Sequence, residues 1–288
     1  MFTFDRLPAR PLVMGVLNVT PDSFSDGGRF MDLDAACAQG RRLFAEGADI
    51  LDVGGESTRP GAQSVPIKEQ IARVFPVVTR LAAELPEGVA ISIDTTSSAV
   101  AEAALDAGAR IINDVSAGHD DSGMFPLAAA RKCGVILMHR VRRPHDDSYS
   151  DRCAQPLFEG NALELVGAWL AERVQSAVDS GIARDALAID PGLGFGKSVA
   201  QNFELLGGIA ALRRVHPTVV IGASRKSFLG AATGVAEPAE RLAGSLAAAV
   251  IATLGGVRII RVHDVALTRQ AVDVAQRVRG VAGVQDAG

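Results

Sequence analysis

Cysteine is scarce in this 288-residue chain: Cys37, Cys133 and Cys153 stand apart, with no C-x-x-C spacing. An odd, unclustered set is no disulfide framework and reads as the reduced thiols of a cytoplasmic protein. Aromatic residues make up only 5%, with one Trp and one Tyr, which argues against a surface that stacks nucleic-acid bases. An excess of either charge is missing too. The 29 Lys and Arg against 33 Asp and Glu give a net of −4, with no electrostatic footprint for nucleic acid or an anionic membrane. The longest apolar stretch, LAGSLAAAVIATLGG (242–256), falls short of the roughly 20 residues that a membrane span requires. The start, MFTFDRLPAR, lacks the apolar segment of a secretory signal. What is present is a hydrophobic fraction of 48%, ample for a sizeable core, so we expect a soluble globular protein.

The main organising signal is a weak repeat, in which a helical run ends in glycine and a short β-branched strand follows. EGADILDVGGE (46–56), AGARIINDVSA (107–117), KCGVILMHR (132–140), SGIARDALAID (180–190) and LGGVRIIRVHD (254–264) all show it. The glycine supplies the left-handed residue that ends a helix, and the apolar strand suits burial on both faces. Strands are expected near 12–18, 49–54, 89–94, 110–115, 134–139, 186–191, 218–223 and 258–263. Helices are expected near 32–47, 67–85, 97–108, 124–132, 162–180, 199–215, 239–255 and 265–279. Alternation of this kind implies a parallel sheet. Eight βα units without a composition break favour one α/β domain, a closed (βα)₈ TIM barrel over about 11–280, rather than an open doubly wound sheet. The first ten residues are expected to cap the barrel bottom. The longest irregular segments, 19–31, 55–66 and 140–161, all follow strands, on the face where barrel enzymes do chemistry.

On that face fall Asn18, Asp94, Asn113, Asp190, Ser224-Arg225-Lys226-Ser227, and Arg261 with His263. A lone Asp at a strand end is often a helix cap. A polar residue at seven of eight strand ends is harder to assign to capping. Arg261 and His263 are two apart on a strand and share a face. A buried arginine without a partner is costly, so the pair suggests an anion, and phosphate at the strand 7–8 end recurs in barrels. Asp94, Asn113 and Asp190 lack metal-ligand spacing and offer acceptors plus one amide, which suits the edge of a flat heterocycle rich in N–H donors. DPGLGFGKS (190–198) mimics a phosphate-binding P-loop, but only three residues separate Gly192 from Gly196 where four are required. It reads instead as a flexible glycine-rich loop closing over a ligand, with Phe195 at its tip. The run HRVRR (139–143) is either an anion site or, by the commoner reading, a solvated loop face.

Taken together these residues resemble the dihydropteroate synthases, over residues 11 to 280. GVLNVTPDSFSDGGRF (15–30) and DVGGESTRPGA (52–62) match the family's two long signatures. SIDT (92–95), INDVSAG (112–118), LMH (137–139), DPGLGFGK (190–197), GASRKSFLG (222–230) and RVHDV (261–265) match in order. The resemblance implies condensation of 6-hydroxymethyl-7,8-dihydropterin diphosphate with 4-aminobenzoate, releasing diphosphate, in folate biosynthesis. It implies that Asp94, Asn113, Asp190 and Lys226 hold the pterin, while Thr58, Arg261 and His263 hold the diphosphate. Asn18 would ligate Mg²⁺. Thr58, Arg59, Pro60, Phe24, Phe195, Arg225 and Ser227 would surround the aminobenzoate. The catalytic set would be Lys226, Asp94 and Asp190, with Asp22 and Asp26 steadying a closed loop.

Two stretches depart from the family pattern. RVRRPHDDSYSDRC replaces the usual Met-x-Gly-x-Pro run after LMH, and Thr96-Ser97-Ser98 replaces a Tyr or Lys after SIDT. The first leaves the loop after strand 5 without an assigned role; the second sits at a helix start, where Ser and Thr cap well. Sulfonamides are expected to compete with aminobenzoate, and the resemblance implies a homodimer. Two other readings share the barrel: a corrinoid-linked pterin methyltransferase, which has no use for the two signature loops, and a non-catalytic pterin-binding paralogue.

Overall fold

The computed structural model describes residues 1–19, 29–86, 88–153 and 158–281, the side chains of 29–32 excepted. Eight parallel strands run β1 (Leu12–Asn18), β2 (Ile50–Gly54), β3 (Ala90–Asp94), β4 (Ile111–Asp114), β5 (Gly134–Met138), β6 (Leu187–Asp190), β7 (Val220–Ile221) and β8 (Ile259–Val262). Each pairs with its sequence neighbour from β1 to β6, and β1 also pairs with β8, which pairs with β7. A bridge between Ile189 and Val219 joins the two ends of the sheet and closes the ring. The expected barrel is the observed one.

Period-two alternation explains where the core sits. In β2, Leu51 and Val53 face the helices and belong to the large outer core, while Ile50 faces inward. Around the lower barrel Leu12, Ile50, Ala90, Ile111, Ile136, Ala188, Val220 and Ile259 fill the interior. Phe2, Phe4 and Leu7 complete this layer from below, as expected for the first ten residues. The Phe2 N–H donates to the Lys132 carbonyl at 2.9 Å. Its ring fills the space that a side chain at Gly134 would need, since a Cβ there would lie 2.6 Å from the ring. Arg258 stitches the plug on, donating to the carbonyls of Phe4, Leu7, Pro8 and Arg10.

The outer ring comprises α1 (Arg29–Ala45), α2 (Ile67–Glu84), α3 (Ser98–Asp106), α4 (Met124–Arg131), α5 (Ala162–Asp179), α6 (Val199–Gly207), α7 (Ile209–Val215), α8 (Ser227–Thr233), α9 (Leu242–Leu254) and α10 (Val265–Val281). Two differences from the sequence reading matter. The helix expected over 199–215 is two, α6 and α7, which meet at Gly208, where a Cβ would strike the Leu163 side chain 2.6 Å away. The run after β7 forms the short helix α8, which the sequence reading had left irregular.

Candidate active site

Parallel register sets four strand ends on one rung: Asn18 pairs with Gly54, Gly54 with Asp94, and Asp94 with Asn113. Farther round, Met138 pairs with Asp190. These ends enclose a deep cavity whose polar wall is Asp94, Asn113 and Asp190, and whose apolar wall is Val115, Met138 and Phe195. The lining matches the chemistry of a flat ligand with a polar edge, apolar groups for its faces and acceptors for its rim, while the space between them here is about 20 Å³.

Arg261 rises from β8 into this cavity, where two carboxylates partner it. Its Nε donates to Asp52 Oδ2 at 2.6 Å, and its Nη2 donates to Asp94 Oδ2 at 2.8 Å. Asp52, fully buried, also accepts from the Asn113 amide at 3.0 Å. Sequence reasoning missed Asp52, although its parity with inward-facing Ile50 was the available signal. Burial works against the Arg261 charge, yet the two carboxylates outweigh it and hold the guanidinium protonated above its ordinary value. Burial lifts the Asp94 carboxyl to about 7 against the pull of Arg261, and the Asp52 charge adds to the rise. Asp190 is likewise raised by burial, opposed by the Gly192 N–H, which donates to it at 2.7 Å. Asp94 Oδ1, Asp52 Oδ1 and Ser92 Oγ are buried without a hydrogen-bond partner among the described residues. Of the three, Asp94 lines the cavity, and an unpaired acceptor there is costly unless a ligand donates to it.

Lys226 precedes α8 and runs past Gly194, where a Cβ would lie 2.9 Å from its Cδ. Its ammonium sits 4.1 Å from the centre of the Phe195 ring, a cation–π contact. Burial, aided by the Arg261 charge, brings the Lys226 ammonium down to about 8. Arg225 beside it holds a left-handed backbone, φ 62°, which costs a non-glycine residue roughly 1–3 kcal/mol. Its guanidinium grips Asp264 through two hydrogen bonds of 2.6 and 3.1 Å. His263 is pushed down to about 3 by burial and by Arg261, so it is a neutral imidazole near pH 7 rather than a second cation. Ser224 Oγ accepts from the His263 N–H and lies 3.1 Å from Nδ1, where its hydroxyl can donate. With Ser224 as the donor in that contact, the proton of the neutral ring stands on Nε2 and is available to a ligand.

A second cavity of about 200 Å³ opens above the first, and the two share Thr58, Phe195, Lys226 and Arg261. Its walls bring together Asn18, Arg59, Pro60, Arg225, Ser227 and His263, every remaining described residue of the expected site. Asp22, Phe24 and Asp26 lie outside the described residues.

The glycine-rich loop after β6 is pinned rather than free to close. Lys197 is fully buried, and its Nζ donates to the carbonyls of Gly192, Phe195 and His139 at 2.9, 3.0 and 3.2 Å. Gly192 (φ 67°) and Gly194 (φ 82°) let the chain wind round this ammonium, and a Cβ at Gly192 would lie 1.9 Å from the His139 carbonyl. Of the arginine run, Arg140 is no solvated face: it pairs with Asp120 at 2.6 Å and its side chain is mostly covered, whereas Arg143 is largely exposed. The loop after β5 is docked onto other segments. The Gly61 N–H donates to Pro144, the Ser150 N–H to Ser227 Oγ at 3.0 Å, and the Asn202 amide to Ser150 Oγ at 3.0 Å.

Among the described residues no cluster of three or more His, Cys, Asp or Glu is set to hold a metal. Asn18 offers one amide oxygen at the mouth. That donor suits a hard cation taking its other oxygens from phosphate and water.

Comparison with known proteins decides which barrel this is. Residues 14–263 match the family model described as "Pterin binding enzyme". A dihydropteroate synthase of Synechocystis sp. is 39% identical over 92% of this chain and 89% of its own length. The chain belongs to the dihydropteroate synthase family. A probable bifunctional folylpolyglutamate synthase/dihydropteroate synthase of Haloferax volcanii is 46% identical over 91% of the chain, which spans 30% of that longer relative. Among solved structures, the Xanthomonas albilineans dihydropteroate synthase with 4-aminobenzoic acid aligns with a TM-score of 0.85 at 42% identity, covering 96% of this chain and 95% of that one. The Yersinia pestis dihydropteroate synthase in complex with a sulfonamide drug aligns at 0.84 and 38% identity, with 95% of each chain covered.

Proposed function

We propose that this chain is a dihydropteroate synthase, a transferase of folate biosynthesis joining 6-hydroxymethyl-7,8-dihydropterin diphosphate to 4-aminobenzoate. The observation that carries the reading is the junction of the two cavities at Lys226. A pterin in the deep slot presents its N–H edge to Asp94, Asn113 and Asp190, and its exocyclic methylene to the mouth, where an arylamine waits. The C–O bond to diphosphate breaks first, diphosphate taking the electron pair. The arylamine nitrogen then forms the C–N bond to the electron-poor methylene and gives up its proton to water or the departing diphosphate. Charge grows on the leaving diphosphate, where Thr58, the neutral His263 donor and the free edge of the Arg261 guanidinium stabilise it. Asp94 and Asp190, buried carboxylates, stabilise the electron-poor pterin left behind. Lys226 contacts both substrates. Arg59, Pro60, Phe195, Arg225 and Ser227 frame the arylamine. The signature segment holding Phe24, Asp22 and Asp26 is assigned, on the family resemblance, to closing over it. Mg²⁺, held by Asn18 and diphosphate oxygens, would neutralise the leaving group.

Sulfonamides, which the Yersinia relative binds, would occupy the arylamine cavity. A cytoplasmic location accords with the buried Cys37 and Cys133 thiols, and no helix among the described residues is long and apolar enough to cross a membrane. A homodimer is supported by the exposed apolar side chains of adjacent α9 and α10: Ile251, Leu254, Leu267, Val274 and Val278. Incubation with the pterin diphosphate, 4-aminobenzoate and Mg²⁺ tests the reading, with dihydropteroate and diphosphate as products. Lys226→Ala is expected to abolish turnover. Binding without product would replace the reading with that of a non-catalytic paralogue, and full turnover in Lys226→Ala would remove Lys226 from the mechanism.

A further inference from the structure

The loop after β5, where the sequence departs most from its family, delivers one side chain to the mouth cavity: Tyr149. Its neighbour Ser150 is buried and held from two sides. The Ser150 N–H donates to Ser227 Oγ, and the Ser150 hydroxyl accepts from Asn202, whose carbonyl oxygen also accepts from the Gly194 N–H at 2.6 Å. These contacts tie the Tyr149 backbone to the two elements, residue 194 and residue 227, that frame Lys226. The Arg152 guanidinium lies over the Tyr149 ring, 5.4 Å from its centre, and steadies it from behind. Beyond the ring a second groove of about 570 Å³ opens, which also has Tyr149, Ser227 and Arg241 in its wall. Tyr149 therefore stands on the ridge between the arylamine cavity and that groove.

We propose that Tyr149 is a specificity-determining residue, forming the outer wall of the arylamine subsite. The proposal rests on the function given above. The reacting amine must point into the deep slot, so the acceptor's far end faces outward, toward the ridge. That end is the carboxylate, which passes the ridge toward solvent, while the aromatic edge of Tyr149 packs against the side of the acceptor ring, an offset or edge-to-face contact that is favourable.

The test is steady-state kinetics of Tyr149→Ala and Tyr149→Phe with both substrates varied. Tyr149→Ala is expected to raise the KM for 4-aminobenzoate by about tenfold, with kcat and the KM for the pterin diphosphate within about threefold of wild type. Tyr149→Phe, which keeps the ring, is expected to restore the wild-type value. Tyr149 is more than a third exposed, so the alanine variant should melt with the wild type, which is checked by circular dichroism. An unchanged aminobenzoate KM in Tyr149→Ala overturns the proposal. So does a parallel rise in both KM values, which marks collapse of the loop. A wild-type enzyme that forms no dihydropteroate sinks the functional reading itself, a distinct result.

Discussion

Replacing Asp52 with Asn keeps the shape of the barrel interior but leaves Arg261 short of one negative charge. Asp52 is fully buried and shares a 2.6 Å contact with the guanidinium. Breaking a buried pair by removing one partner costs about 3–5 kcal/mol. Here Asp94 remains 2.8 Å from Arg261, and the arginine side chain keeps 20% exposure, so the lower end applies. With a loss of about 3 kcal/mol and a urea dependence of about 3 kcal/mol per molar, the unfolding midpoint should fall by about 1 M. Because the Asp52 charge helps to lift Asp94, the variant's Asp94 should also ionise below about 7. Urea unfolding of Asp52→Asn, Arg261→Met and the double variant forms the cycle. The double variant should lose at least about 1 kcal/mol less than the sum of the singles. Additive losses, or a midpoint within about 0.2 M of wild type, would refute the view that these groups act as one unit.

The productive state needs Asp94 ionised and Lys226 protonated, so kcat/KM for the pterin diphosphate should rise with pH through about 7 and fall through about 8. The residual activity of Lys226→Arg should lack the basic limb; a limb that persists would assign it elsewhere. Phe4→Ala hollows the bottom plug and should cost about 3–5 kcal/mol in urea unfolding while leaving kcat unchanged. Val274→Lys with Val278→Lys places two cations on the exposed α10 stripe, and sedimentation should then find monomers where the wild type forms dimers. Excess chelator should abolish turnover, and a sulfonamide should raise the apparent KM for aminobenzoate without lowering kcat at saturation.

The barrel was legible because its signals are repetitive. A left-handed glycine stands between helix and strand before β2, β4, β6 and β8, at Gly47, Gly108, Gly181 and Gly256, and β-branched strands recur round the ring, so no single misreading could have displaced the architecture. The site was legible by position, since strand ends converge whatever their side chains do. What stayed hidden depended on partners far apart in the chain. Asp52 and Arg261 are 209 residues apart, and nothing local announces that the acid neutralises the base. His263 reads as a cation until its burial beside Arg261 is known. The loop after β5 looked ungoverned because its anchors, Gly61, Asn202 and Ser227, belong to three other segments. The glycine-rich loop was misread as a moving flap because lysine suggests solvent, and no pattern of letters shows an ammonium turned inward.

That inward lysine has a further consequence. A ring of backbone oxygens around a compact positive charge is the setting in which proteins hold alkali metal ions. Here the charge is covalently tethered, as Lys197, so it cannot be diluted away or exchanged. Burial brings its ammonium down to about 7, however, so the charge is shed as the pH rises through that value. A loop organised round a bound sodium or potassium would track the salt of its surroundings; this one carries its own counterpart. The 192–195 wall of the deep slot should therefore keep its shape across ionic conditions that screen the more open charges at the mouth.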